Sequence, residues 1–589
     1  MKNKIYNTVR LILLGALLIV TIPSCNDMLE EKKFDFVQPN DIADSDDGAT
    51  QWVMGTYNLL IDDMFRWSIF PTAFDFDCDY ISGPDWAFKS FGAGNFQSID
   101  ETKNMWEKPY VIIHRANYAI ENINKMSNVT PRYKENTIGE LRFLKAYSYF
   151  LLVRAFGEVP IRKESINATG EVNIPRSSIE DVYAYIIELL KDAETMMYKN
   201  TDAGFVEGRA SAGAAASLLA KVYATMASGA MPAGNEIIVK GGTPYVMNGD
   251  TKVYTNPVAK TFLKKQLAGY AAFDYKEYYG LARDKAKQVM DGAYGTYDLL
   301  PYDNLWKKES WNKTEHIWML QSISGDPKFG MAYTVGYAGI YDSNGNIFNG
   351  LWYGMRDHWY KLFESKDYRA EKGVMHRWAR NFDVVWNIGS FYPDTEEYRN
   401  KALGYTDGQG NVIPPQAPYN DGLRYTCNKD AAFLAFLTKY DDRTDKTIER
   451  SDAHWPFLRY ADVVLIYAEA EAEAEANGAP DDAALEALNK IRRRSNATEK
   501  TLTGTGNIGS IVDFRSAVLE ERAMEFALEG DRRWDLIRWG IYVDVMNNIG
   551  GTDESGIYKV RSSRHELFPI PASEMDSNKD IKENNPGWS

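Results

Sequence analysis

Helical periodicity confined to two blocks, with a long stretch between them that has none, constrains this chain more than any other feature. In the first block, about 104 to 228, Asn104–Met126 and Lys134–Phe156 read as helices, the second ending at Gly157 ahead of Pro160. Ser177-x-x-Glu180, after Pro175, reads as a capping box. Behind it Ile179, Val182, Ile186, Leu189, Leu190 and Ala193 hold one helical stripe. Arg209–Ala227 is rich in alanine, which lets neighbouring helices approach closely, and Lys276–Gly292 is a further helix. Helices resume at Pro456, where Tyr460, Val463, Val464 and Tyr467 share a face and run into the sequence AEAEAEAEA. Asp481–Arg494 and Ile511–Glu529 follow, the latter with Leu519, Ala523, Phe526 and Ala527 on one side. Successive helices of this length joined by short turns predict a mainly α fold of TPR-like stacked hairpins.

The interruptions differ in kind. Residues 229–270 are punctuated by Gly, Pro and Asn and read as loops. Residues 293–455 are dominated by Gly, Asn, Asp and aromatics, with no sustained helical period. Seven of the 15 tryptophans fall between 306 and 386. Loops carried on a rigid scaffold are where binding residues collect.

The N-terminus reads as an export signal. Lys2, Lys4 and Arg10 precede Leu11–Ile22, twelve nearly unbroken apolar residues. That run is too short to span a hydrocarbon core, which takes about 20 residues, and suits a secretory signal over 1–24. It closes on Ile22-Pro23-Ser24-Cys25, which resembles a bacterial lipobox and makes Cys25 the lipidated N-terminus of the mature chain. The acidic stretch Asn26–Glu31 resembles surface-export signals of Bacteroidetes lipoproteins. With 67 basic and 82 acidic residues, a net charge of −15, the chain lacks the basic footprint of a nucleic-acid binder. Three cysteines make no disulfide framework; pairing of Cys78 with Cys427 stays open.

Motifs that would carry catalysis fail one by one. Gly504-Thr505-Gly506-Asn507-Ile508-Gly509 matches GxGxxG, but no apolar strand precedes it, so it reads as a linker. Asp75-Phe76-Asp77-Cys78-Asp79 begins like a calcium loop, yet Tyr80 stands where Gly belongs and Trp86 where Glu belongs. Metalloprotease, serine-hydrolase and NTPase signatures are absent, and the six histidines show no metal-ligand spacing. Neither a metal nor a cofactor is expected. A glycosidase needs only two suitably spaced carboxylates, and a chain with 82 acids leaves that alternative open.

Aromatics make up 13% of the chain. Most tryptophans serve the core, but one in a loop can offer a flat apolar face to a sugar ring while polar neighbours bind its hydroxyls. Trp86, after the turn Gly83-Pro84-Asp85, and Trp352-Tyr353, after Asn349-Gly350, are platform candidates. Trp306, Trp311 and Trp359 join them from the loop-rich part, with Asp85 and Asn349 as hydrogen-bonding partners.

The C-terminal half resembles a known family. Arg459-Tyr460-Ala461-Asp462-Val463-Val464-Leu465-Ile466-Tyr467-Ala468-Glu469-Ala470 looks like the signature helix of the SusD/RagB family. Ala487–Arg494, Glu520–Gly530, Arg532–Gly540, Phe568-Pro569-Ile570-Pro571 and Asn585-Pro586-Gly587-Trp588 are similar to its further motifs, in order. The resemblance implies an N-terminal region over 25–232 and a C-terminal one over 233–589 that includes the loop-rich 293–455. It implies TPR-like helical hairpins decorated by long loops and a few short strands, in a non-enzymatic, lipid-anchored protein on the outer face of the outer membrane. Such a protein captures an oligosaccharide or polysaccharide for a SusC-like TonB-dependent transporter; peptide uptake is the alternative within the family. It further implies that ligand residues come from the Asp79–Ser90 loop and from 300–360. Glu521, Arg522, Glu525, Arg532, Arg533, Asp535 and Arg538 are then a structural charge network between helices.

Overall fold

A computed structural model describes residues 41–61, 72–379, 391–393, 395–416, 424–425, 434–474 and 479–589. Cys25, Cys427 and the leader lie outside the described residues. From Ser45 to Ser589 the chain forms one unit. Its longer helices are α1 (Asp46–Leu59), α2 (Asp100–Lys125), α3 (Pro131–Phe156), α4 (Ile179–Met196), α5 (Ala212–Ala230), α6 (Tyr275–Met290), α7 (Tyr460–Ala474), α8 (Asp482–Arg494), α9 (Ile511–Glu525) and α10 (Arg532–Arg538).

From α2 to α8 each helix packs on the next, the stacked hairpins that the apolar periodicity predicts. Local chemistry sets the ends. Pro131 opens α3 at its first turn, and Gly157, at φ +71°, closes it. The cap of α4 lies one residue beyond the predicted one. Ser177 is drawn into a bridge with Val159, and Ser178 Oγ accepts from Asp181 N–H at 3.0 Å. At the start of α9, Ser510 Oγ accepts from Asp513 N–H at 3.1 Å, but the helix stops at Glu525, short of Glu529; Leu528 takes a φ of +58°.

Two expectations are corrected, one of a loop and one of a helix start. Within 229–270, Glu236–Gly241 pairs antiparallel with Val258–Leu263, and Tyr245–Asn248 with Thr251–Tyr254 across a two-residue turn. The β-branched run Ile237-Ile238-Val239 and the Asn248-Gly249 turn were its available signals. Pro456 begins no helix either: Trp455–Arg459 is a buried strand antiparallel to His316–Leu320, and α7 starts at Tyr460.

Because α6 packs directly on α7, residues 291–459 form an insertion that leaves and re-enters the stack at neighbouring points. A buried charge network then ties the end of the chain to its beginning. Arg459 reaches Glu529 at 2.7 Å, Glu315 at 2.6 Å and Glu525 at 2.9 Å. Arg522 joins Asp462 to Asp535. Arg532 grips Asp79 through two bonds of 2.8 and 2.7 Å, while Arg533 and Arg561 share Asp77. Burial opposes ionisation of Asp77, yet Arg561 and Arg533 hold its carboxyl below the usual range. The calcium-like spacing is therefore spent on arginines, and the segment carrying Asp75–Ser82 is pinned.

Candidate functional site

That pinned segment positions the site. Ile81 and Ser82 pair antiparallel with Met355 and Gly354. Arg356 N–H donates to Tyr80 O at 2.7 Å, and Ser82 Oγ to Asp553 at 2.7 Å. From this short ladder one strand leaves through Gly83-Pro84 into the single helical turn Asp85–Phe88, which raises Trp86. The other strand enters through Trp352 and Tyr353. The two tryptophans consequently meet, ring centroids 5.0 Å apart and planes at 85°. Trp86 is 54% exposed and Trp352 half-buried. Together they make an open aromatic corner.

Its floor is rigid. Tyr353 lies against Phe76 at 4.7 Å and Tyr337 at 5.6 Å, and Phe76 stacks on Phe88 at 3.9 Å. Gly336 lets Tyr353 sit this low, since a Cβ there would lie 2.2 Å from its ring. The backbone N–H groups of Trp352 and Tyr353 both donate to Gly336 O. Gly350, at φ +89°, turns the chain where a side chain would strike Val335 O at 2.1 Å. Platforms set on such a base lose little conformational freedom when a ligand arrives.

Beside the corner, the Asp85 carboxylate is exposed, 3.9 Å from Lys89 Nζ. Asn349 is half-buried and its side-chain oxygen already accepts from Gly350 N–H at 2.9 Å, leaving its amide N–H groups as donors. Phe348, 52% exposed, was not singled out from the sequence. It alternates with fully buried Ile347 on one strand, which is the signal that could have found it.

The remaining sequence candidates go elsewhere. Trp359 is 1% exposed and donates its indole N–H to Ala523 O at 2.8 Å, packing the insertion onto α9. Trp311 is buried and stacked on His454 at 4.5 Å. Trp306 is buried beneath Lys439 and Arg459 at 4.9 and 5.1 Å. None of the three has a ring contact with Trp86 or Trp352 among the described residues. Covered faces offer a sugar nothing to stack on.

Below Tyr337 sits an uncommon carboxylate. Asp75 is buried, accepting from Gly530 N–H at 3.0 Å and Tyr337 O–H at 3.2 Å. Burial raises its pKa to about 7; these two bonds oppose the rise, while Asp531 and Glu529 add to it. Cys78 is a free, buried thiol, pushed up to about 12 by burial. Among the described residues no His, Cys, Asp or Glu cluster has the makings of a metal site, and no helix is long and apolar enough to cross a membrane.

Comparison with known proteins matches residues 314–588 to the SusD family and residues 29–224 to a family described as starch-binding and associating with the outer membrane. A SusD-like protein of Formosa agariphila is 23% identical over 96% of both chains. The starch-binding protein SusD of Bacteroides thetaiotaomicron is 23% identical over 76% of this chain and 72% of its own. Among solved structures, a SusD homolog from Bacteroides thetaiotaomicron superposes with a TM-score of 0.65 at 23% identity, covering 93% of this chain and 98% of that one. Surface glycan-binding protein A from Bacteroides fluxus gives 0.61 at 18% identity, covering 92% and 99%.

Proposed function

Because the chain belongs to the SusD family, we propose that it captures an oligosaccharide or polysaccharide on the outer face of the outer membrane, binding it at the Trp86–Trp352 corner. It holds the glycan without cleaving it and passes it to a SusC-like TonB-dependent transporter, tethered through acyl chains on Cys25. The observation that carries the binding reading is the exposed, perpendicular tryptophan pair on a rigid floor. An uncharged sugar offers a chain of net charge −15 no ion pair. Affinity must then come from C–H stacking on aromatic faces and from directed hydrogen bonds; Asp85 can accept such bonds and Asn349 can donate them. The names of the relatives, starch-binding and surface glycan-binding, support the same ligand class.

The test is a glycan array read beside a peptide panel, using the mature wild type and Trp86→Ala. Glycan binding that weakens in the variant, with no peptide retained, is the expected result. Peptide binding alone would overturn it.

A further inference from the structure

Trp306 shares a loop-rich region with Trp352 in the sequence, but in the fold it lines an opening of its own. A cleft of about 410 Å³ lies over Tyr302 and Trp306. Two ion pairs brace its walls, Lys372 to Asp303 at 2.7 Å and Lys446 to Asp441 at 2.8 Å. Lys307 and Asp442 complete the lining. Lys307 has no ion-pair partner among the described residues, and Asp442 uses one oxygen to accept from Lys308 N–H at 2.8 Å, leaving the other open. The Trp306 ring is held between cations and neighbouring aromatics, and its buried indole N–H has no partner among the described residues.

We propose that this cleft is a second saccharide-binding subsite, taking a neutral, hydroxyl-rich unit. Its three lysines and three aspartates balance, so it attracts neither anions nor cations as such. In one lining, the Lys307 ammonium can donate and the open Asp442 oxygen can accept, and sugar hydroxyls can both donate and accept. The cleft and the corner belong to one packed block: Trp306, Tyr440, Tyr337, Tyr353 and Trp352 follow one another at centroid spacings of 5.6 to 6.4 Å. Two subsites on one rigid body strengthen the hold on a polymer through effective concentration, without new contacts. The proposal rests on the glycan reading of the corner.

Affinity electrophoresis separates the two. Wild type, Lys307→Ala/Asp442→Ala, Trp86→Ala/Trp352→Ala and the fourfold variant are run in gels carrying amylopectin, xylan, mannan or arabinogalactan, with melting curves to confirm folding. In the gel that retards wild type most, the Lys307/Asp442 variant should lose several-fold of the retardation. The tryptophan variant should keep a residue of it that the fourfold variant lacks. Retardation of the Lys307/Asp442 variant equal to wild type overturns the second subsite and spares the corner. A tryptophan variant that runs as wild type overturns the corner and spares the cleft. No retardation in any gel counts against both.

Discussion

Replacing Asp75 with asparagine should change how stability depends on pH. In the fold this carboxyl titrates at about 7, against 3.8 for its ordinary value, because burial disfavours its charge and no cation pairs with it among the described residues. Between those two values the folded chain keeps a proton that the unfolded chain has released. Stability therefore falls as pH rises through that window, by about 1.4 kcal/mol per pH unit and about 4 kcal/mol in all. Above pH 7 both states are ionised and the slope from this group vanishes; below about 4 both are protonated. The asparagine side chain cannot titrate. Its amide oxygen can still accept from Gly530 N–H, and its NH2 group stands beside Tyr337 where the protonated carboxyl oxygen stood, so the substitution mimics the acid form. Urea unfolding of wild type and Asp75→Asn at intervals from pH 4 to 8 gives a difference curve in which all other groups largely cancel. The variant should gain about 4 kcal/mol relative to wild type from the acid end to the neutral end. A difference that stays constant across the range would refute the account of Asp75 as an uncompensated buried acid.

Other outcomes follow from the same structure. Arg459→Met takes one of the cations from Glu315, Glu525 and Glu529 and leaves Arg494, Arg369 and Lys439 to hold three buried carboxylates; it should cost up to about 3–5 kcal/mol in a denaturant titration. Trp359→Ala empties a fully buried site against α9; it should cost about 3–5 kcal/mol and lower glycan binding only by unfolding, a melting curve measured beside affinity telling the two apart. Cys25→Ala should move the protein out of the outer-membrane fraction, whereas an unchanged fraction on cell fractionation would contradict lipid anchoring.

The helical stack was legible because each helix buries a stripe at helical period and carries its own end signals, as in Ile179–Met196 and Ser510 ahead of α9. What escaped was set by partners far away in the chain. Asp77 and Asp79 look like the start of a calcium loop until Arg533 and Arg532 arrive, 456 and 453 residues later. Trp86 and Trp352 could each be singled out after a turn signal. Their meeting depends on a ladder of two residues per strand, too short to leave a periodic trace. Trp306, Trp311 and Trp359 looked equally eligible because the cover on a tryptophan ring, a cation, a histidine or a helix, comes from elsewhere in the fold. The hairpin at Tyr245–Tyr254 turns on Gly249-Asp250, residues that read as loop punctuation until the strands on either side are paired.

The most direct test of the account is the affinity of Trp86→Ala and Trp352→Ala for the glycan that binds wild type, by titration calorimetry beside melting temperature. Trp86 is mostly solvent-exposed, so its loss should barely move the melting temperature. As a central aromatic anchor it should cost more than about 1 kcal/mol of binding, and Trp352→Ala should do the same. Well-folded variants that bind as tightly as wild type would contradict the placement of the ligand at this corner.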